Sequence, residues 1–357
     1  MNVTYLIGNG FDLGLGLKTG FEDFLKYYLT VESRDEDIID FKRAIKNDSI
    51  DLWADFEVSF GKYSMYFDKD NFSTLIKIYE NVLNEMNTYL KNEVKKIPWS
   101  ISDFYANKFK KWILLNDLIS MGFRPAISHA FELDTNYYKT DTINHNFLIY
   151  NYTKTFDKFL DSITEKDGET LASTQYIKYD ELRDRIQKIG KVIHIHGELD
   201  KYLILGVNDE TQLWFSDPLP DKIEARMIKP IKNVRIGSMV EENGANIIDR
   251  SSIIVIYGMS MGKTDAIWWE RIGEWLGKDV AKRIILFVYD PSIDTRPVTA
   301  IDYLLEIEEQ YRNELLETLN VPVDKWDLLK KKVIIIINSD FMQMKLAKDE
   351  TKSEATV

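Results

Sequence analysis

Apolar residues fall along this chain in two rhythms, and the change between them outlines the fold. Val3 to Gly8 is short, apolar and β-rich, and it runs straight into glycines. From about Val31 to Thr142 the spacing is mostly that of helices. Leu75, Tyr79, Val82, Met86 and Leu90 form one stripe, and Phe109, Trp112, Ile113 and Asn116 form a second. Such aromatic stripes are expected to be core. Ahead of them, Thr19 stands three residues before Glu22, the spacing of a capping box, with Phe21, Phe24, Leu25 and Tyr28 following at helical intervals. Strand-like runs return at Phe147 to Tyr150, Val192 to Ile195 and Tyr202 to Leu205. Ser252 to Tyr257, Ile284 to Tyr289 and Val333 to Ile337 are continuous apolar runs, as expected for strands covered on both faces of a parallel sheet. Amphipathic helices separate the later runs, among them Thr264 to Leu276 with three tryptophans. The alternation predicts an α/β fold with a doubly wound, mainly parallel Rossmann-like sheet. A large helical insertion occupies 21–144 between core segments 1–20 and 145–345, and 346–357 form a flexible polar tail.

Composition narrows the chemistry. Among 357 residues there is no cysteine, which excludes disulfides, thiolate nucleophiles and Cys-ligated zinc. No apolar stretch approaches a membrane span, and the N-terminus lacks the basic-then-apolar order of a signal peptide, so a cytoplasmic location is expected. The formal net charge of -12 argues against strong nucleic-acid binding, which rests on a basic field.

In open α/β sheets, ligands bind beyond the carboxyl ends of the strands. The first such end reads Gly8-Asn9-Gly10-Phe11-Asp12-Leu13-Gly14. Glycines there let backbone N–H groups approach a phosphate, and an ordinary glycine turn has the same composition. Leu13 stands where the third glycine of the dinucleotide fingerprint belongs. Next come Asn151-Tyr152-Thr153, able to orient a ribose or water, or equally to cap the following helix. In His194-Ile195-His196-Gly197, strand alternation would put both histidines on one face. A zinc site lacks further ligands nearby. His194 suits a buried structural role, and His196 suits a general base. Gly258-Met259-Ser260 and Asn338-Ser339 end later strands, as ligand contacts or as turn chemistry. Asp55 and Glu57 alternate and could bind a metal, but a solvated face opposite Trp53 and Phe56 is the expectation.

Leu6-Ile7-Gly8-Asn9-Gly10-Phe11-Asp12-Leu13, Gly16-Leu17-Lys18-Thr19, Phe24-Leu25, Asn151-Tyr152-Thr153, Thr155-Phe156-Asp157, His194-x-His196-Gly197 and Gly258-Met259-Ser260 together resemble the AbiH family of phage abortive-infection proteins. The order of motifs is more distantly similar to the sirtuin-like NAD-binding fold, and the helical region does not align to it. That resemblance implies that Gly8 and Gly10 lie against the NAD pyrophosphate, within a binding turn running from Gly8 through Asn9, Phe11 and Asp12. It implies that Asn151 faces the nicotinamide ribose, that His196 is the base, and that Gly258, Ser260 and Asn338 hold the adenosine half. Thr153 replaces the Asp usual in sirtuin deacylases, and the Cys-rich zinc module is impossible here. Both count against deacylation and leave NAD hydrolysis to ADP-ribose and nicotinamide, without a metal. The alternatives are a nucleotide sensor that binds NAD without cleaving it, and a nuclease or RNA-directed toxin. A phage-derived trigger and homo-oligomerisation are the partners such a protein implies.

Overall fold

The computed structural model describes residues 1–47, 55–68, 70–115, 142–178, 181–215, 218–293 and 301–346. A seven-stranded sheet carries the architecture. Its strands are β1 (Asn2–Ile7), β2 (Thr142–Ile149), β3 (Thr170–Lys178), β4 (Glu181–His194), β7 (Ile253–Tyr257), β8 (Arg283–Val288) and β9 (Val333–Ile337). β5 (Gly197–Glu198) and β6 (Tyr202–Leu203) form a separate small ribbon. The order across the main sheet is β3-β4-β2-β1-β7-β8-β9, with every pairing parallel except β3 to β4. Of the β3–β4 pair the sequence pattern marks only the end of β4, at Val192 to Ile195. The rest of both strands is rich in charged and polar residues, so no continuous apolar run marks it. The expected strand from Tyr202 to Leu205 shrinks to two residues.

Alternation along β1 explains the layers. Val3, Tyr5 and Ile7 face one core, whereas Leu6 faces another, and Phe147 and Ile149 against Leu148 repeat the pattern on β2. The first face is covered by α6 (Asp103–Ile113) and by a helix at Thr155–Ile163, which presents Phe156, Phe159, Leu160 and Ile163. The second is covered by the helix Ala266–Lys278, with Trp268, Trp269 and Trp275, and by Ile301–Thr318. Each fully buried aliphatic or aromatic side chain contributes about 1.5–3 kcal/mol.

The remaining early helices are α1 (Gly10–Gly14), α2 (Phe21–Tyr28), α3 (Glu36–Asn47), α4 (Phe56–Tyr63) and α5 (Phe72–Val94). The stripe Leu75, Tyr79, Val82, Met86 and Leu90 is buried on α5 as its spacing requires. α2 to α5 share a core with Leu199, Leu205, Val207, Ile223, Met227 and Ile228, so the helical lobe is completed by chain that follows β4. α6 packs instead against the sheet. Asn116, Trp53 and the tail from Lys348 lie outside the described residues. The capping box at Thr19 does not form: Gly20 caps α2, and the Thr19 hydroxyl donates to Asn9 Oδ1 at 2.6 Å. Among the described residues no helix is long and apolar enough to cross a membrane.

β1 lies between β2 and β7, so the chain leaves it to opposite sides of the sheet. That opens a crevice at its carboxyl end. The turn after β1 is pressed onto the turn after β7. A Cβ at Gly8 would sit 2.3 Å from the Gly258 carbonyl oxygen, and one at Gly10 would sit 2.4 Å from Gly258 Cα. Both obstacles are backbone and cannot rotate away. Gly8→Ala is therefore expected to destabilise the protein by about 3 kcal/mol or more, measured by urea unfolding; a loss too small to measure would refute the contact.

Candidate functional site

Four neighbouring strands, β4, β2, β1 and β7, end at one cavity of about 430 Å³. Gly8, Asn9, Gly10 and Asp12 follow β1, Asn151 and Thr153 follow β2, His196 follows β4, and Gly258 and Ser260 follow β7; all of them line it. The helical lobe closes the opposite side with Phe21, Phe24, Met86 and Leu90. The volume suits a nucleotide-sized ligand.

The glycines do something other than the expected cradling. The Gly8 N–H donates to the Tyr257 carbonyl at 2.9 Å, and the Gly10 N–H donates to the Gly258 carbonyl at 2.9 Å. Those donors are spent on joining the two turns. α1 is only five residues long, which leaves little helix dipole to attract an anion. Gly8 and Gly10 thus shape the cavity floor by permitting close backbone approach.

Asn151 supplies the strongest ligand signal. It is 3% exposed, and neither atom of its carboxamide has a hydrogen-bond partner among the described residues. Tyr150, beside it, buries its hydroxyl in the same condition. A buried polar group left unpaired costs about 1–3 kcal/mol, so folding retains these groups against their own cost.

Asp12 stands next to them with no exposure at all. The Thr153 hydroxyl donates to its Oδ2 at 2.6 Å, and the Thr155 hydroxyl donates to its Oδ1. Burial pushes the Asp12 carboxyl up to about 6, against the opposing effects of the two threonine hydroxyls and the nearby Asn151 amide, which does not reach normal hydrogen-bond geometry. The folded state therefore binds this proton more tightly than the unfolded chain. The stability it contributes is complete below about 3.8 and is lost as pH rises through about 6. The loss amounts to about 3 kcal/mol. Asp12→Asn is expected to remove this pH dependence and to raise stability at pH 7; urea unfolding between pH 4 and 7.5 checks it, and parallel wild-type and variant profiles would refute it.

His196 sits in the turn between β4 and β5. That turn is held by the Ile204 N–H donating to the His196 carbonyl at 2.8 Å and by Gly197 at φ +76 against Tyr202. The Nε2 of His196 lies 2.8 Å from Asp265 Oδ1. Lys229 Nζ bonds the same oxygen at 3.2 Å and Glu57 Oε2 at 2.8 Å, and Glu57 Oε1 accepts from the Gly206 N–H at 2.9 Å. Burial works against the Asp265 charge, but His196 and Lys229 overcome it and hold the carboxyl well below its usual range. Burial likewise works against the Lys229 ammonium, and Asp265 and Glu57 reverse the effect and raise its pKa. With Nε2–H donating to Asp265, Nδ1 is the acceptor on the ring.

The family model for bacteriophage abortive infection AbiH matches residues 4–289, which include every one of these cavity-lining residues. The chain belongs to the AbiH family. It is a phage abortive-infection defence protein. No curated protein matches it significantly.

In this AbiH chain two residues of the sequence-derived set do not reach the cavity. Phe11 is 1% exposed and packs edge-on against Phe109, Phe156 and Phe159 in the core, so its side chain is structural. Asn338 follows β9, which is separated from β7 by β8. Its amide donates to the carbonyls of Asp290 and Ile293, and its Oδ1 accepts from the Asp290 N–H, so it is consumed in bracing that turn. His194 and His196 do not share a face. β4 ends at His194, whose Nε2 lies 3.1 Å from Asp157, while His196 turns toward Asp265. Glu57 is not on a solvated face: it is 7% exposed and ion-paired to Lys229, while Asp55 caps α4. Among the described residues no group of three or more His, Asp or Glu is placed to hold a metal.

Lys229 and Asp265 are absent from the sequence reading. The one available signal was Asp265 two residues after Lys263, before a tryptophan-rich helix, which reads as an ordinary helix start. A second cavity of about 400 Å³ adjoins the first and shares Gly10, Leu13, Gly258 and Met259 with it. Tyr289, Tyr311, Gln343 and Lys345 line its far side.

Proposed function

We propose that this AbiH protein binds NAD or a closely related nucleotide across the carboxyl edge of its sheet and hydrolyses the nicotinamide N-glycosidic bond. The observation that carries the reading is the unpartnered, buried carboxamide of Asn151, set beside Asp12 in a nucleotide-sized cavity that His196 also lines. A ribose offers hydroxyl donors and acceptors that would satisfy both atoms of that amide. The adjoining cavity, with its tyrosines, offers room for a second planar end, as an adenine requires.

In this scheme the C1′–N bond breaks and its electron pair leaves with nicotinamide. The ribose carries the resulting positive charge as an oxocarbenium-like species, which the neighbouring Asp12 carboxylate stabilises. Water adds to C1′ and yields its proton to Nδ1 of His196, leaving ADP-ribose. Asn151 holds the ribose so that the leaving group and the water lie on opposite faces.

Incubating purified protein with NAD, with and without phage components, and quantifying nicotinamide and ADP-ribose tests the proposal. Equimolar release of both is expected. NAD recovered intact but bound one to one would replace hydrolysis with sensing, and neither binding nor release would overturn the nucleotide reading.

A further inference from the structure

His196 faces more fixed charge than a catalytic histidine needs for orientation alone. Asp265 suffices to hold the ring, yet a second carboxylate and an ammonium are buried behind it. Lys229 is 5% exposed and Glu57 is 7% exposed. They come from separate parts of the chain: Glu57 from α4 in the helical lobe, Lys229 from the helix Lys229–Arg235, and Asp265 from the turn before the helix Ala266–Lys278. Lys229 Nζ also approaches His196 Nε2 to 3.4 Å. Both Glu57 oxygens accept from donors, the Gly206 N–H and the Lys229 ammonium. Burying such charges is costly, and their mutual pairing offsets the cost only in part.

We propose that Glu57 and Lys229 are positioning residues that set the charge against which His196 accepts a proton. Two carboxylates and one ammonium sum to a net charge of -1 behind the imidazole. When Nδ1 takes a proton, the buried cluster becomes neutral, so proton uptake is favoured without the ring being held permanently as imidazolium. Lys229 prevents that permanent protonation, because without it two carboxylates would face the ring. Glu57 supplies the charge that makes uptake favourable, because without it the remaining pair is already balanced. The helical lobe thereby sets the basicity of a residue mounted on the sheet.

The other groups near His196 make no hydrogen bond or ion pair with its ring among the described residues. The Tyr150 and Tyr152 rings pack against it at 5.3 and 6.0 Å, and burial keeps both phenols neutral by raising their pKa well above the usual value. Glu241, which shares a crevice with His196 and Lys229, accepts from Asn233. Glu198, two residues along the chain, is paired with Lys154 and Lys201. Asp12 and Asp55 line the same cavity from α1 and the start of α4, and neither has a hydrogen bond or ion pair to the ring among the described residues.

The inference rests on His196 acting as the base, and its test needs no substrate. The chain has four histidines, so ¹⁵N-histidine labelling of the full-length protein gives a spectrum simple enough to follow His196 through a pH titration. The Nε2–H tautomer is expected in the resting protein. Glu57→Gln should lower the pH at which the ring gives up its proton by about one unit, and Lys229→Met should raise it by about one unit or more. Glu57→Asp should restore the wild-type titration. Opposite shifts are the distinguishing outcome, since general loosening of the site would move both variants the same way. Unchanged midpoints, shifts in one direction, or an Nδ1–H tautomer would overturn the proposal. If Lys229→Met does not fold, the nearly isosteric Glu57→Gln and its Asp control decide it. If the midpoints move as expected but no variant or wild-type protein releases nicotinamide, the hydrolysis reading fails while the charge setting stands. If nicotinamide is released but the midpoints do not move, only the charge setting fails.

Discussion

Asn151→Ala is expected to cut nucleotide turnover by about 10²–10³ while leaving the protein at least as stable as wild type. The usual consequence of trimming a buried polar side chain is a broken hydrogen bond. Asn151 has none to break: both atoms of its carboxamide are buried without a partner among the described residues. Removing them relieves a desolvation cost of about 1–3 kcal/mol per group, which offsets the packing lost with the side chain. The same atoms are the ones positioned to meet a ribose. Losing a preorganised donor of this kind typically costs about 10²–10³ in rate. Thermal unfolding and nicotinamide release, measured on the same preparation, check the two halves together. A variant that is much less stable, or one that turns over normally, would mean that the amide serves the fold instead.

His196→Ala carries the larger kinetic effect, a loss of about 10²–10⁴ in turnover, the usual contribution of a general base. Folding should survive the change. Asp265 keeps its bond to Lys229 at 3.2 Å, so the buried carboxylate is not left without a countercharge. The ring packs on Tyr150 and Tyr152, and the cavity it vacates should cost some stability. Because the deficit is a missing proton acceptor, it should shrink as pH rises and hydroxide competes with water. A pH-independent deficit of the same size would assign His196 a binding role. Exogenous imidazole provides a second check, since partial recovery of rate is expected if only the acceptor is missing.

Much of this site was legible because strand ends announce themselves. Continuous apolar runs located β1, β7, β8 and β9, and the small polar residues after β1, β2, β4 and β7 do converge on one cavity. What a sequence cannot show is which strand lies beside which. Asn338 follows an apolar run as convincing as the others, but β8 separates its strand from the crevice. The Gly8 and Gly10 turn has the composition of a phosphate cradle. Its donors are taken by the Tyr257 and Gly258 carbonyls only because β7 happens to be the neighbour of β1. Glu57, Lys229 and Asp265 were hidden for a related reason. Glu57 and Lys229 are 172 positions apart, and each sits in a stretch where a charged residue reads as solvent-facing. A buried ion pair has no periodicity, so nothing in the local pattern distinguishes it from surface charge.

The most direct test of the nucleotide assignment is a structure of the protein soaked with NAD. The nicotinamide ribose is expected between Asn151 and His196, with its hydroxyls bonded to the Asn151 carboxamide, and the adenine is expected beyond the Gly10–Gly258 contact, near Tyr289 and Tyr311. A cavity that stays empty at saturating NAD, or a nucleotide bound elsewhere with the Asn151 amide still unpartnered, would contradict it.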